Sequence, residues 1–231
     1  MDGAPSWAEY GAVQKDECRE LLNIFREKVM ALVDRPYACG DLIYRKGDHG
    51  NALYVVTEGV VKLSGSYSGD RDFMFLLGPW DIFGPLGAAK EPVRRVQAEA
   101  FTGCRIVKVP KIFVERAMRR QPEVALRLMT LQDIRLIQYE ELIGCLLSRR
   151  TEARLANLLS ILAQKFGEHS DVSHTTIGLW LTHRDLAEMI ASTRESITKT
   201  LNDLRNRKMI GMKGGRITIL NPQELAKIGR R

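Results

Sequence analysis

No stretch of this chain is apolar enough, for long enough, to cross a bilayer. Its first residues, MDGAPSWAEYGAVQKDE, lack the basic segment and apolar core of a secretory leader, so the cytoplasm is the expected compartment and no membrane partner is expected. The four cysteines, Cys18, Cys39, Cys104 and Cys145, form no CxxC or CxxxC pair. The four histidines, His49, His169, His174 and His183, show no metal-ligand spacing. That argues against a zinc or iron–sulfur centre and leaves the thiols as buried or inert groups. A glycine-rich phosphate loop and paired carboxylates beside a nucleophile are also missing, so no cofactor is expected and nothing points to an enzyme.

What is present is an uneven distribution of charge. The 231 residues carry a formal net charge of +7. From Arg149 to the end there are 15 Lys and Arg against 8 Asp and Glu, whereas Met1 to Ser148 holds 20 of each. All of the excess cation therefore lies in the C-terminal third, the asymmetry that binding to a phosphate backbone requires. At this length the chain accommodates two small domains with cores of their own.

Residues 182–210, THRDLAEMIASTRESITKTLNDLRNRKMI, read as two short helices with a tight break at Ala191-Ser192. Leu186, Ala187 and Ile190 share one face of the first helix, which opens with a capping-box-like Thr182…Asp185. Ser192 or Thr193 is placed to cap the second helix, with Glu195 near enough to close another box. In that second helix Ile197, Leu201 and Leu204 form the buried stripe, and Arg194, Glu195, Thr198, Lys199 and Asn202 form the opposite face. A short helix with long donors near its N-terminus suits the DNA major groove, where Arg and Lys reach guanine and Glu accepts from cytosine. His183 either meets a phosphate or merely occupies the first helical turn. After Ile210, GMKGGRITILNP reads as a two-stranded wing turning at Gly214-Gly215, with Lys213 and Arg216 flanking the turn where a wing meets phosphates.

Earlier in the chain, residues 16–33 form an amphipathic helix, with Leu21, Leu22, Phe25, Val29 and Leu32 on one side and Pro36 ending it. From Tyr37 to about Pro110, short β-rich runs alternate with glycine breaks, the pattern of a small all-β barrel or jelly roll. A long helix runs from Pro122, and Leu128, Leu131, Arg135, Gln138, Leu142 and Cys145 keep a 3-4-3-4-3 spacing. That spacing is a heptad seam and predicts pairing with a second copy in a homodimer. Its polar middle either fixes register or holds an anion at Arg135. Gly144 and Ser148-Arg149-Arg150 form a hinge. Beyond it TEARLANLLSILAQKFG is a helix burying Leu155, Leu158, Leu159 and Leu162, followed by a polar loop (168–176) and a strand-like IGLWL. The fold class is thus α+β: an N-terminal β-barrel with its leading helix (1–121), a dimerisation helix (122–147), and a winged helix-turn-helix domain (148–231). RNA or an acidic membrane surface would also attract such charge, but the helix pair favours duplex DNA.

This order of parts, with LYVVTEGVVKLS, DIFGPLG and LTHRDLAEMIASTRESITKTLNDLRNRKMI, resembles the Crp/Fnr superfamily of transcription regulators. The resemblance implies a cyclic-nucleotide-binding-like barrel, an RNA polymerase partner, and base reading by Arg194, Glu195 and Lys199. Lys199 stands where the family has arginine, which loses the bidentate fork, so a TGTGA-like half-site is implied only loosely. Cyclic AMP is not the expected effector: Gly84 is followed by Pro85 where cyclic-AMP-binding members have glutamate, and their Arg-Ser pair is missing. Among subfamilies the chain is most similar to the cyanobacterial nitrogen-control regulators, which respond to 2-oxoglutarate. That likeness implies an effector site at Phe83, Gly84, Pro85 and Leu86, at Arg94 ahead of Ala100-Phe101-Thr102, and at Arg135 and Glu140 on the long helix. Two guanidiniums suit two carboxylates, since each binds one bidentately. Pro85 removes a backbone N–H from the turn, and AAKEPVRRV differs from the subfamily's loop, so a sister regulator with another ligand or none stays open.

Overall fold

A computed structural model of the chain describes residues 7–28, 32–67, 71–84, 93–171 and 174–229. These divide into two compact units, one of Met1–Gly65 with Met74–Leu136, the other of Ser66–Phe73 with Ile137–Arg231. The long helix α3 (Pro122–Leu147) spans the division.

The first unit is the jelly roll. Its strands are β1 (Val33–Tyr37), β2 (Leu42–Tyr44), β3 (Ala52–Glu58), β4 (Val61–Tyr67), β5 (Arg71–Leu77), β6 (Ile82–Phe83), β7 (Gln97–Ala100) and β8 (Cys104–Pro110). They form two four-stranded sheets, β1-β8-β3-β6 and β2-β7-β4-β5. β3 shows why the run ALYVV is apolar without alternation: all five residues are buried, because both faces of its sheet are covered. Ala52, Tyr54 and Val56 pack toward the second sheet with Leu63, Ala98 and Ile106. Leu53 and Val55 pack on the other face with α1 (Trp7–Lys28), α2 (Lys111–Arg120) and the first turns of α3.

Three expectations change here. The N-terminal helix starts at Trp7, so residues 7–15 are ordered helix, and it ends before Val33. Leu21, Leu22 and Phe25 line the core as expected, whereas Val29 lies outside the described residues. Pro36 does not stop a helix. It sits in β1, an edge strand, where a missing N–H costs nothing to the ladder. The heptad line is displaced as well. Leu128 and Leu131 belong to the barrel's own core cluster, and Leu142 and Cys145 are buried in the second unit, with Cys145 Sγ 4.0 Å from Arg154 O. That stripe is therefore occupied by its own chain. The exposed apolar line of α3 is Leu126, Met129, Leu136, Ile143 and Leu147, between 55% and 77% exposed. Two residues along a helix is 200° around it, so this line is the opposite face at the same 3-4 spacing.

The second unit holds α4 (Thr151–Phe166), β9 (Gly167–Asp171), β10 (His174–Ile177), α5 (His183–Met189), α6 (Arg194–Asn206), β11 (Ile210–Lys213), β12 (Arg216–Ile219) and α7 (Pro222–Gly229). Leu155, Leu158, Leu159 and Leu162 of α4 are buried as read from their spacing. The described residues of the polar 168–176 stretch are strand, not loop: β9 and β10 pair antiparallel and extend the wing into a sheet of order β11-β12-β10-β9. The IGLWL run is strand only through Ile177.

Candidate DNA interface and effector site

The helix-turn-helix forms where its caps place it. Thr182 accepts from Asp185 N at 3.1 Å while Asp185 Oδ2 accepts from Thr182 N at 2.8 Å, a full capping box at the start of α5. The break turns through Ala191, at φ +50°, with Ser192 N donating to Ala187 O at 2.9 Å. Thr193 caps α6 by accepting from Ser196 N at 3.2 Å. The third residue of this cap is Ser196, not Glu195, so Glu195 closes no box and stays exposed on the outer face. A cap of this kind is worth about 1 kcal/mol.

Ile197, Leu201 and Leu204 are buried under α6, and Leu186, Ala187 and Ile190 under α5. The outer face of α6 is an open concavity lined by Arg194, Glu195, Thr198, Lys199, Asn202 and Asp203. His183 occupies the first turn of α5 and its Nδ1 lies 2.7 Å from Thr198 Oγ1, tying the two helices together. Arg154, which the sequence reading passed over, reaches from α4 to the break: its Nη1 donates to Ile190 O at 2.9 Å and to Ala191 O at 3.4 Å. In the wing, Gly214 and Gly215 take φ +57° and +78°, the left-handed pair of a tight hairpin. Lys213 and Arg216 flank it and are exposed, and Arg216 meets Glu168 at 3.2 Å.

The second site lies inside the jelly roll. Arg94 is 1% exposed. Its backbone is pinned to the turn before His49, through Arg94 N to Asp48 O and Gly47 N to Arg94 O, both 2.8 Å. Its guanidinium lies over Tyr44 (4.5 Å) and Tyr54 (5.2 Å), and Nη2 donates to Ala52 O at 2.9 Å. Nε and Nη1 are buried with no partner among the described residues. Burial pushes the Tyr54 hydroxyl above its ordinary value, against the lowering effect of Arg94. Phe83 stacks on Tyr54 at 5.0 Å. Gly84 has φ +90°, and a Cβ there would stand 2.6 Å from Arg94 Nη1 and 2.8 Å from Ala52 O, so only glycine fits. Arg135 is half-buried and its Nη1 donates to Ile82 O, so both guanidiniums address the short β6 segment and its end. Pro85 and Leu86 lie outside the described residues. Glu140 is exposed, on the same line of α3 as Leu136 and Ile143.

A capped helix-turn-helix with a basic wing, carried on the same chain as a jelly roll that buries a cation, defines the class of a DNA-binding regulator. Comparison with known proteins agrees. Residues 34–121 match the cyclic nucleotide-binding domain and 153–228 the Crp-like helix-turn-helix domain. The chain is 35% identical over 213 residues to the global nitrogen regulator of Synechococcus elongatus, covering 90% of this chain and 96% of that protein. It is 26% identical over 196 residues to the CRP-like cAMP-activated global transcriptional regulator of Mycobacterium tuberculosis, covering 83% and 85%. FixK2 from Bradyrhizobium japonicum shares its fold, with a TM-score of 0.74 at 21% identity over 86% of this chain and 98% of that one. The chain belongs to the Crp/Fnr family of transcription regulators and, within it, is similar to the global nitrogen regulators. It is thus a DNA-binding regulator rather than an enzyme. Among the described residues no helix is long and apolar enough to cross a membrane.

Proposed function

We propose that the protein is a homodimeric transcription activator whose DNA binding is set by a small dianion, 2-oxoglutarate, held at Arg94, Gly84 and Arg135. The observation that carries this is Arg94. A cation that deep in a protein normally has an anionic partner, because desolvating it alone costs several kcal/mol. Here two of its three guanidinium nitrogens have none among the described residues. A carboxylate at Gly84 would supply the missing charge through charge-assisted hydrogen bonds. Arg135 would take the second carboxylate by exchanging its bond to Ile82 O, which gives the ligand a grip on α3. Glu140 is the further contact that the nitrogen-control likeness implies, and RNA polymerase is the partner implied for activation.

The exposed line Leu126, Met129, Leu136, Ile143 and Leu147 supports dimerisation. Leaving that stripe in water forgoes about 1.5–3 kcal/mol per large side chain, and its 3-4 repeat suits a second copy of the same helix. Two recognition helices related by a two-fold axis would then meet half-sites one helical turn apart.

The test is calorimetric titration of the ligand-stripped protein, with its mass followed by light scattering. Saturable heat with 2-oxoglutarate, none with cyclic AMP, and loss of binding in Arg135→Ala are the expected results. A dimer mass that falls to the monomer in Leu136→Glu is expected alongside. No heat from a folded dimer would favour a second reading, a ligand-independent regulator. The tyrosine faces against Arg94 give that reading its own support, since cation–π contacts stabilise a buried guanidinium by about 2 kcal/mol.

A further inference from the structure

Trp180 is one of three tryptophans in the chain, and it is 74% exposed. It sits in the extended segment leading into α5, between Leu179 and Leu181, each 6% exposed. A polar residue would satisfy that outward position at no cost, whereas an indole in water gives up the burial that large aromatics ordinarily provide. The ring is not loose. It lies against the wing turn so closely that a Cβ on Gly215 would overlap its Nε1, Cε2 and Cδ1. The hairpin thus requires glycine at Gly215 twice, for its positive φ and for the indole above it. On either side of this turn stand Lys213 and Arg216, while Glu168 holds Arg216 at 3.2 Å. The pairing of β12 with β10 anchors the base of this hairpin of two four-residue strands, and the indole bears on its tip.

We propose that Trp180 is a positioning residue for DNA binding: its indole, seated on the Gly214-Gly215 turn, fixes the wing so that Lys213 and Arg216 meet the phosphates of the duplex. The inference rests on the DNA-binding reading and adds a residue to it. Because the contacts are to phosphate, the effect is independent of base sequence. The flat ring is what matters, since Gly215 presents only backbone to it.

The experiment measures the affinity of full-length protein for two labelled duplexes by fluorescence anisotropy across a salt series. One duplex carries two-fold symmetric TGTGA half-sites one helical turn apart, and the other is a mixed sequence of equal length. Trp180→Ala, whose removed side chain is mostly in water, is expected to unfold at the wild-type temperature. It should weaken binding to both duplexes by the same factor, about tenfold, and make the salt dependence shallower by about one to two phosphate contacts. Trp180→Phe should recover most of the loss. Trp180→Ala added to Lys213→Ala with Arg216→Ala should cost nothing more, because Trp180 acts through those two cations. Unchanged affinity and salt slope in Trp180→Ala would overturn the inference. So would a loss of full size in the background lacking Lys213 and Arg216. Failure of the wild-type protein to bind either duplex, with Trp180→Ala no different, would overturn the DNA-binding reading itself.

Discussion

The two units of this protein use positive charge in opposite ways. In the jelly roll one guanidinium, Arg94, is sealed between Tyr44 and Tyr54. In the winged helix domain Arg194, Lys199, Lys213 and Arg216 all stand in water. A single charge removed from water is an expensive state, and a group of matching charge and shape relieves it most, so a buried cation favours selective partners. Exposed charges are individually cheap and weak, but several aligned on one surface attract any polyanion, so their sum gives affinity and salt sensitivity. On the proposed reading, selectivity on the DNA side then comes from Arg194, Glu195 and Lys199 on the outer face of α6. One chain thus carries a desolvated cation in one unit and a charged field in the other.

The sharpest way to break this contrast is Arg94→Met. If Arg94 is held uncompensated for a ligand, the variant should lose 2-oxoglutarate binding by about 100-fold or more, the weight of two charge-assisted hydrogen bonds. Its ligand-free stability should rise by about 1 kcal/mol, because removing a desolvated charge outweighs one lost hydrogen bond and two ring contacts. Thermal unfolding without ligand decides the matter. A marked fall in melting temperature would mean that the tyrosines and Ala52 O already satisfy the guanidinium, the condition of the ligand-independent regulator.

On the reading side, Arg194→Ala should cost about 1–3 kcal/mol against a preferred symmetric site and much less against mixed sequence, so the specificity ratio collapses. Competition binding between the two duplexes measures that ratio. Equal losses on both would reassign Arg194 to the phosphate field and move the contrast elsewhere on α6.

Much of the DNA-binding unit was legible because its signals are local. The Thr182…Asp185 cap, the Ile197, Leu201 and Leu204 stripe and the Gly214-Gly215 turn each lie within a few residues and follow backbone rules. The jelly roll was legible as a class but not in its details, because its decisive contacts are distant in sequence. Gln14 is buried and polar, so it breaks the apolar stripe that would have revealed the start of α1. What fixes it is Asp81, at 2.6 Å across 67 residues. Arg154 is hidden for the same reason, its role depending on carbonyls 36 and 37 residues away. The phase of α3 failed differently. Its two 3-4 stripes lie 200° apart, both apolar enough to pair, and spacing alone does not say which one the chain covers itself.

The smallest expected effects come from the thiols, and they read each unit separately. Burial, aided by Asp41, pushes the Cys104 thiol in the jelly roll up to about 11. Burial, aided by Glu141, pushes Cys145 in the second unit up to about 12. Cys18 is raised beyond both by burial, then by Asp81 and Glu17, whereas Cys39 is exposed. At neutral pH one thiol, Cys39, should react quickly with a disulfide reagent and the other three only as the structure opens. The ordinary thiol value is 9.0, and a raised folded-state value means that the unfolded chain ionises first. The contribution of these groups to stability is therefore complete below pH 9 and falls as pH climbs through 11 and 12. Mass spectrometry of the labelled sites at constant pH then separates the two units. 2-Oxoglutarate should slow modification of Cys104 more than that of Cys145, and duplex DNA should do the reverse, because a ligand protects the unit whose folded state it binds. Equal protection of both thiols by either ligand would mean that sensor and reader open as one body, and that the two uses of charge share a single stability.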